Sequence, residues 1–199
     1  MTINRLSAIA LAVTALAAGP ALGQAPKPIR GVIAKIDGPT LTIKRNDAAD
    51  VTVKLTDKAQ VFGVKAATLA DVKVGDFIGV GAMPQPDGSQ KAIQVTIFAP
   101  SQRGLGEGFR PWDRPGSTMT NGTVDATVSG IDGQVLTVTY KGGQQKIVVG
   151  PDATIRRYAP GDISELGIGA HIAIVRPEQA PDGSLQASRV NVGLGGVAP

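Results

Sequence analysis

The chain contains the stretch Ile36-Asp37-Gly38-Pro39-Thr40-Leu41-Thr42-Ile43 and returns to it as Ile131-Asp132-Gly133-Gln134-Val135-Leu136-Thr137-Val138. Farther along, Pro86-Asp87-Gly88-Ser89 returns unchanged as Pro181-Asp182-Gly183-Ser184. The matches keep their order and nearly their spacing, which predicts two copies of one structural unit. The two predicted copies span residues 29–97 and 124–192.

Alternation of apolar and polar residues predicts β-strands in both units. Residues 51–55 and 93–97 place apolar, mostly β-branched side chains at every second position, which is typical of half-buried antiparallel strands. Asp-Gly and Gly-Gly pairs separate these segments and provide the positive φ angles of tight turns. The sequence therefore predicts an all-β protein.

One segment in each unit interrupts the strand pattern. Thr68 and Asp162 each precede apolar side chains spaced three apart, as capping residues of a short helical turn do. Three strands, a helical turn and two strands are the order of an OB-like barrel. We expect two tandem five-stranded OB-like barrels at residues 27–98 and 122–195, joined by a Gly/Pro-rich linker at residues 99–121. Half of a β-sandwich is the alternative for each unit.

The shared pattern also resembles a known family. Both units carry Ile-Asp-Gly-x-x-Leu-Thr and later Asp-Gly-x-x-x-Ala-x-x-Val, and this pairing is similar to a small exported bacterial domain family of unknown function. The second unit departs from the pattern at Ala170, where the first has Asp76. The resemblance implies a barrel-like fold and supplies no catalytic residue.

The N-terminus predicts export. Arg5 precedes a short apolar run at residues 6–18, and Ala21-Leu22-Gly23 offers the small residues of a cleavage site. Residues 1–23 are therefore expected to be a signal peptide, and the mature chain to be periplasmic or secreted and soluble. The chain has no cysteine, so no disulfide stabilises either unit.

Composition argues against several functions. The net charge of +4 is dispersed along strands and not clustered, so we expect no nucleic-acid partner. No catalytic motif is present, and we expect no enzyme, no metal site and no cofactor. His171 is the only histidine. It takes the place of Phe77 on the outer face of a strand, and we treat it as a candidate residue for contact with a partner or ligand.

The linker is the most unusual segment. It holds Phe109, Arg110, Trp112 and Arg114, and Trp112 is the only tryptophan of the protein. One hypothesis has Phe109 and Trp112 pack internally and fix the angle between barrels. The other has Trp112 anchor a partner, with the two arginines beside it.

A second candidate site is Arg156-Arg157-Tyr158, predicted at a bend after the third strand of the second unit. An anionic sugar or phosphate fits such a site, and a solvated loop is the alternative. The leading hypothesis is a non-catalytic exported binding or scaffolding protein whose partner is an envelope protein or an extracellular polymer, because nothing in the sequence indicates a deep small-molecule pocket. The alternatives are a carbohydrate- or anionic-polymer-binding module and, more weakly, an enzyme with carboxylates between the barrels.

Overall fold

The computed structural model describes residues 26–45, 48–130 and 133–199, so the predicted signal peptide and Asp132 lie outside the described residues. In these ranges no helix is long and apolar enough to cross a bilayer. The strands are β1 (Ile29–Asp37), β2 (Thr40–Arg45), β3 (Val51–Ala66), β4 (Phe77–Pro84), β5 (Gln90–Ile97), β6 (Gly108–Pro111), β7 (Thr118–Gly130), β8 (Gly133–Tyr140), β9 (Gly143–Val149), β10 (Thr154–Pro160), β11 (His171–Ile174), β12 (Glu178–Gln179) and β13 (Leu185–Gly193).

The prediction of an all-β protein is confirmed, and both predicted helical turns are present as short 3-10 turns, Leu69–Asp71 and Ile163–Glu165. In the first, the backbone N–H of Thr68 donates to the Asp71 carboxylate (2.8 Å). In the second, the Asp162 carboxylate accepts from the backbone N–H of Ser164 (2.8 Å). Asp162 thus caps its turn as the pattern predicts, whereas the Thr68 side chain accepts no such bond and Asp71 provides the acceptor at the first turn.

The expectation of two separate barrels, each built from one unit, is wrong. The strands form a single 13-stranded sheet, and strands of each predicted unit pair with strands of the other. β1 pairs with β11, β4 pairs with β7, and β3 runs parallel to β13. The two units carry the same turn and core pattern. A strand of one unit can therefore take the place of the equivalent strand of the other unit in the sheet.

Pairing within this sheet closes two circuits. The first circuit runs β1–β2–β3–β13–β11 and returns to β1. The second runs β4–β5–β9–β8–β7 and returns to β4. β10 joins them, because it is antiparallel to β3 and parallel to β5. Each circuit thus combines three strands of one predicted unit with two of the other.

Each circuit encloses an apolar core with members from both predicted units. The first core is closed by Leu166, beside the turn Ile163–Glu165. The second is closed by Val72, beside the turn Leu69–Asp71. A fully buried Val, Leu or Ile side chain contributes roughly 1.5–3 kcal/mol, so these cores are the main attraction between the two units. The predicted boundaries 27–98 and 122–195 are therefore not boundaries between cores.

The predicted linker at residues 99–121 is part of the sheet and not a spacer. It forms a third 3-10 turn, Pro100–Gln102, then β6, and then the first residues of β7. β6 pairs antiparallel with β7, with Phe109 opposite Thr120 and Arg110 opposite Met119. This hairpin lies along the second circuit, since β7 also pairs with β4.

Candidate functional site

A cleft of about 550 Å³ is lined by strands of both circuits and by the linker hairpin. Its walls follow from the alternation of side chains along each strand. On β5, Val95 and Ile97 belong to the second core while Gln94 and Thr96 line the cleft. On β11, β13 and β1 the same alternation sends apolar residues into the first core and other residues into the cleft. Ligand pockets commonly have volumes of about 300–1,000 Å³.

The lining of this cleft is strongly basic. In the part of the chain that the structure describes, its charged residues are five arginines and two acids. We call it the arginine cleft, after Arg30, Arg110, Arg156, Arg176 and Arg189. The acids are Asp113 and Glu178.

Both acids are already engaged by protein groups. Asp113 forms an ion pair with Arg30 at 2.8 Å. Glu178 accepts a hydrogen bond from the Ser188 hydroxyl at 2.8 Å. The remaining arginines of the cleft therefore give it a positive potential, and a low-dielectric wall strengthens the field of such charges.

Three side-chain nitrogens converge beside Gly106. Nη2 of Arg110, Nη2 of Arg176 and Nδ2 of Asn121 each lie 3.4 Å from the position that a Cβ on Gly106 would take. The two guanidinium nitrogens are thus separated by no more than twice that distance. Among the described residues Arg176 has no hydrogen-bond or ion-pair partner. Two like charges are held close together, and an anion between them would relieve their repulsion.

Burial and mutual repulsion act on the same arginines. Desolvation, and then the charge of Arg176, lowers the pKa of Arg110 from its ordinary value. The same two causes lower the pKa of Arg189. Arginine keeps its charge at neutral pH despite such shifts. The arginine cleft therefore holds its positive charges at an electrostatic cost.

Three buried amide side chains in the cleft, those of Gln102, Asn121 and Asn191, have one atom without a hydrogen-bond partner among the described residues. Gln102 is 2% exposed; its Oε1 accepts from the backbone N–H of Ala99 (3.1 Å) and its Nε2 has no partner. Asn121 is 5% exposed; its Nδ2 donates to the Leu105 carbonyl (2.9 Å) and its Oδ1 has no partner. A buried polar atom left unpaired costs about 1–3 kcal/mol. The cleft thus has one free amide donor and two free amide acceptors, the second acceptor being Oδ1 of Asn191, and these atoms call for a partner that the described residues do not supply.

Aromatic rings form the floor of the arginine cleft outside both cores. Tyr158 meets Phe98 edge-on with ring centroids 5.8 Å apart, and Phe98 lies 5.5 Å from Phe77. Phe77 points away from the second core, as the strand alternation predicts, and is buried because Phe98 covers it. His171, which takes the corresponding place, is exposed and does not line the cleft.

The structure places the four linker candidates in two groups. Arg110 and Trp112 line the arginine cleft. Trp112 packs on β4, since its Cη2 and Cε3 lie 2.6 and 2.7 Å from where a Cβ on Gly81 would be. Phe109 stacks on Tyr140 with centroids 6.5 Å apart and is 43% exposed. Arg114 is exposed, with its guanidinium 6.0 Å from the Trp112 ring centroid.

The second candidate set lies in a strand and not at a bend. Residues 156–158 belong to β10, where Arg156 and Tyr158 face the arginine cleft. Arg156 donates to the Ala198 carbonyl (2.9 Å), and Tyr158 is buried. Arg157 lies on the opposite face and donates to the Asp71 carbonyl (2.8 Å).

Sequence reasoning missed most of the cleft. Arg30 and Arg189 occupy polar positions of alternating strands, a pattern that also fits an ordinary solvent face. Arg176 follows β11 in a short irregular segment with no motif around it. Gln102 and Asn121 lay within the predicted linker, and nothing in the sequence indicated that they are buried.

Comparison with known proteins gives one finding for part of the chain. Residues 30–96 match a family described as a domain of unknown function, DUF5666. No curated protein and no solved structure matches the chain. The first unit is thus similar to a family to which no activity is attached.

Proposed function

We propose that this protein is a non-catalytic exported binding protein that takes an anionic ligand into the arginine cleft. The observation that carries the proposal is the lining itself: five arginines and two acids around about 550 Å³, with both acids engaged by neighbouring residues. Guanidinium groups recognise carboxylates and phosphates by paired, charge-assisted hydrogen bonds. The anionic-ligand hypothesis is therefore favoured over an adaptor that uses the exposed linker.

The proposal assigns binding and not catalysis because several aspartate carboxylates already accept hydrogen bonds within their own hairpin turns. The Asp87 carboxylate accepts from the Ser89 hydroxyl (2.6 Å), and the Asp182 carboxylate accepts from Ser184 in the same way (2.6 Å). The hydrogen bonds from Ser89 lower the pKa of Asp87 from its ordinary value, and those from Ser184 lower the pKa of Asp182 in the same way. Carboxylates used in this way stabilise hairpins.

We further propose that the chain is a duplicated unit of OB-like form in which the two copies have exchanged strands. Matching registers support this proposal. The parallel pair Val53–Leu185 of the first circuit has its counterpart in the pair Ile147–Gln90 of the second. Export rests on the signal-peptide pattern of residues 1–23.

The test is a calorimetric titration with citrate at low salt, comparing two variants of equal net charge. Arg176→Gln/Arg189→Gln removes two charges from the arginine cleft, and Lys44→Gln/Lys58→Gln removes two exposed charges outside it. We expect the first variant to lose at least tenfold in affinity, because a charged hydrogen bond is worth about 1.5–3 kcal/mol, and the second to bind like the wild type. Equal binding by both variants would overturn the proposal.

A further inference from the structure

We propose that the ligand of the arginine cleft is an acidic sugar, a hydroxylated ring bearing a carboxylate. This inference rests on the proposed function and goes beyond it, because it is drawn from the uncharged groups of the cleft. The carboxylate is assigned to the space beside Gly106, between Arg110 and Arg176, where the nitrogens of both residues and of Asn121 converge.

The unpaired amide atoms define what else the ligand carries. The Gln102 amide is oriented by its bond from Ala99, which leaves its Nε2 as a free donor. The Asn121 amide is oriented by its bond to Leu105, which leaves its Oδ1 as a free acceptor. A fully deprotonated inorganic anion such as sulfate offers only acceptors and leaves the Asn121 oxygen unpaired. A hydroxyl group both donates and accepts, so a hydroxylated ligand can pair with a free donor and with a free acceptor.

The floor and the size of the cleft fit the same ligand class. A volume of about 550 Å³ holds one or a few sugar rings. Phe98 and Tyr158 supply an apolar floor for the carbon face of a ring. Arg189 and Asn191, on β13, also line the cleft and add polar groups to it.

The experiment compares three ligands that differ in one feature each. D-Glucuronate carries the carboxylate and the hydroxyls, cyclohexanecarboxylate carries the carboxylate on a bare ring, and D-glucose carries the hydroxyls without the charge. We expect D-glucuronate to bind at least tenfold more tightly than either of the other two, because a site with buried polar groups discriminates strongly against a ligand that leaves them unpaired.

Two single variants show where the ligand binds. Arg176→Gln changes an arginine with no partner among the described residues, and we expect it to weaken D-glucuronate binding about tenfold or more. Arg114→Gln changes an exposed linker arginine outside the cleft lining, and we expect no change.

The outcomes separate this inference from the proposed function. Equal affinity for the two carboxylates, still lost in Arg176→Gln, would overturn the acidic-sugar assignment and leave anion binding in place. If neither carboxylate bound in a way that depends on Arg176, both proposals would be overturned. Tight binding of D-glucose would also overturn the inference, since the ligand would then need no charge.

Discussion

Val64 on β3 and Tyr158 on β10 face each other across an antiparallel strand pair, and each lies five residues before the first residue of its own unit's 3-10 turn, Leu69–Asp71 or Ile163–Glu165. Equivalent positions of the two predicted units are therefore paired with each other at this point of the sheet. Val64 is fully buried, and the Tyr158 ring packs nearly perpendicular to the Phe98 ring at the floor of the arginine cleft. The junction of the circuits and the candidate binding site thus share one residue.

Replacing Tyr158 should destabilise the whole protein. The side chain is 9% exposed, and truncating a buried aromatic residue costs about 3–5 kcal/mol. We expect Tyr158→Ala to lower the free energy of unfolding by about 3 kcal/mol, and Tyr158→Phe to lower it by less than about 1 kcal/mol. Urea denaturation followed by circular dichroism measures both. A Tyr158→Ala variant as stable as the wild type would contradict the assigned role of this junction.

Trp112 should respond to a methyl group placed on Gly81. A Cβ at Gly81 would meet the indole ring, so Gly81→Ala must displace Trp112 toward solvent. We expect the emission of this single tryptophan to shift to longer wavelength. Gly167→Ala is the matched control, because no atom lies within 4 Å of the Cβ position there. An unchanged spectrum for Gly81→Ala would mean that Trp112 does not pack on β4.

Cutting the chain between the predicted units should not separate them. Residues 113–116 are exposed and lie between β6 and β7, so a protease site inserted after Arg114 is accessible. We expect the two fragments to elute together from a sizing column and to separate only in urea, because each core contains strands of both. Fragments that part under native conditions would show that each unit folds by itself, against the strand exchange described above.

Neutralising Asp113 should strengthen anion binding without changing stability. Its ion pair with Arg30 is nearly half exposed, and such pairs contribute about 0–1 kcal/mol. Asp113→Asn removes a negative charge from the cleft wall and frees Arg30 for a ligand. We expect citrate affinity to rise about fivefold, as one unit charge in a largely hydrated cleft is worth roughly 1 kcal/mol. Weaker binding by this variant would contradict an anionic ligand.

Local structure was largely predictable from the sequence. Alternation over 51–55 and 93–97 and the Asp-Gly pairs depend on neighbouring residues only, and the strands and hairpin turns lie where those patterns indicate. The bonds of Asp71 and Asp162 at the starts of the two 3-10 turns likewise depend on contacts within three residues. These features are encoded by short-range geometry.

Strand pairing and the arginine cleft were not predictable in the same way. Because the two units present the same pattern, β13 and β5 are equally plausible neighbours for β3 at the level of sequence, and only the assembled fold distinguishes them. Arg30, Arg176 and Arg189 come together through that pairing. Since their sequence neighbourhoods resemble solvent-facing strands and loops, no local signal marks them.

The most direct test of anion binding in the arginine cleft is an NMR titration that follows the arginine side-chain Nε–Hε signals while citrate is added. We expect the largest shifts at Arg110, Arg176 and Arg189, and small ones at Arg103 and Arg157, which lie outside the cleft lining. Shifts of equal size at all five arginines, or none at the three in the cleft, would contradict the account.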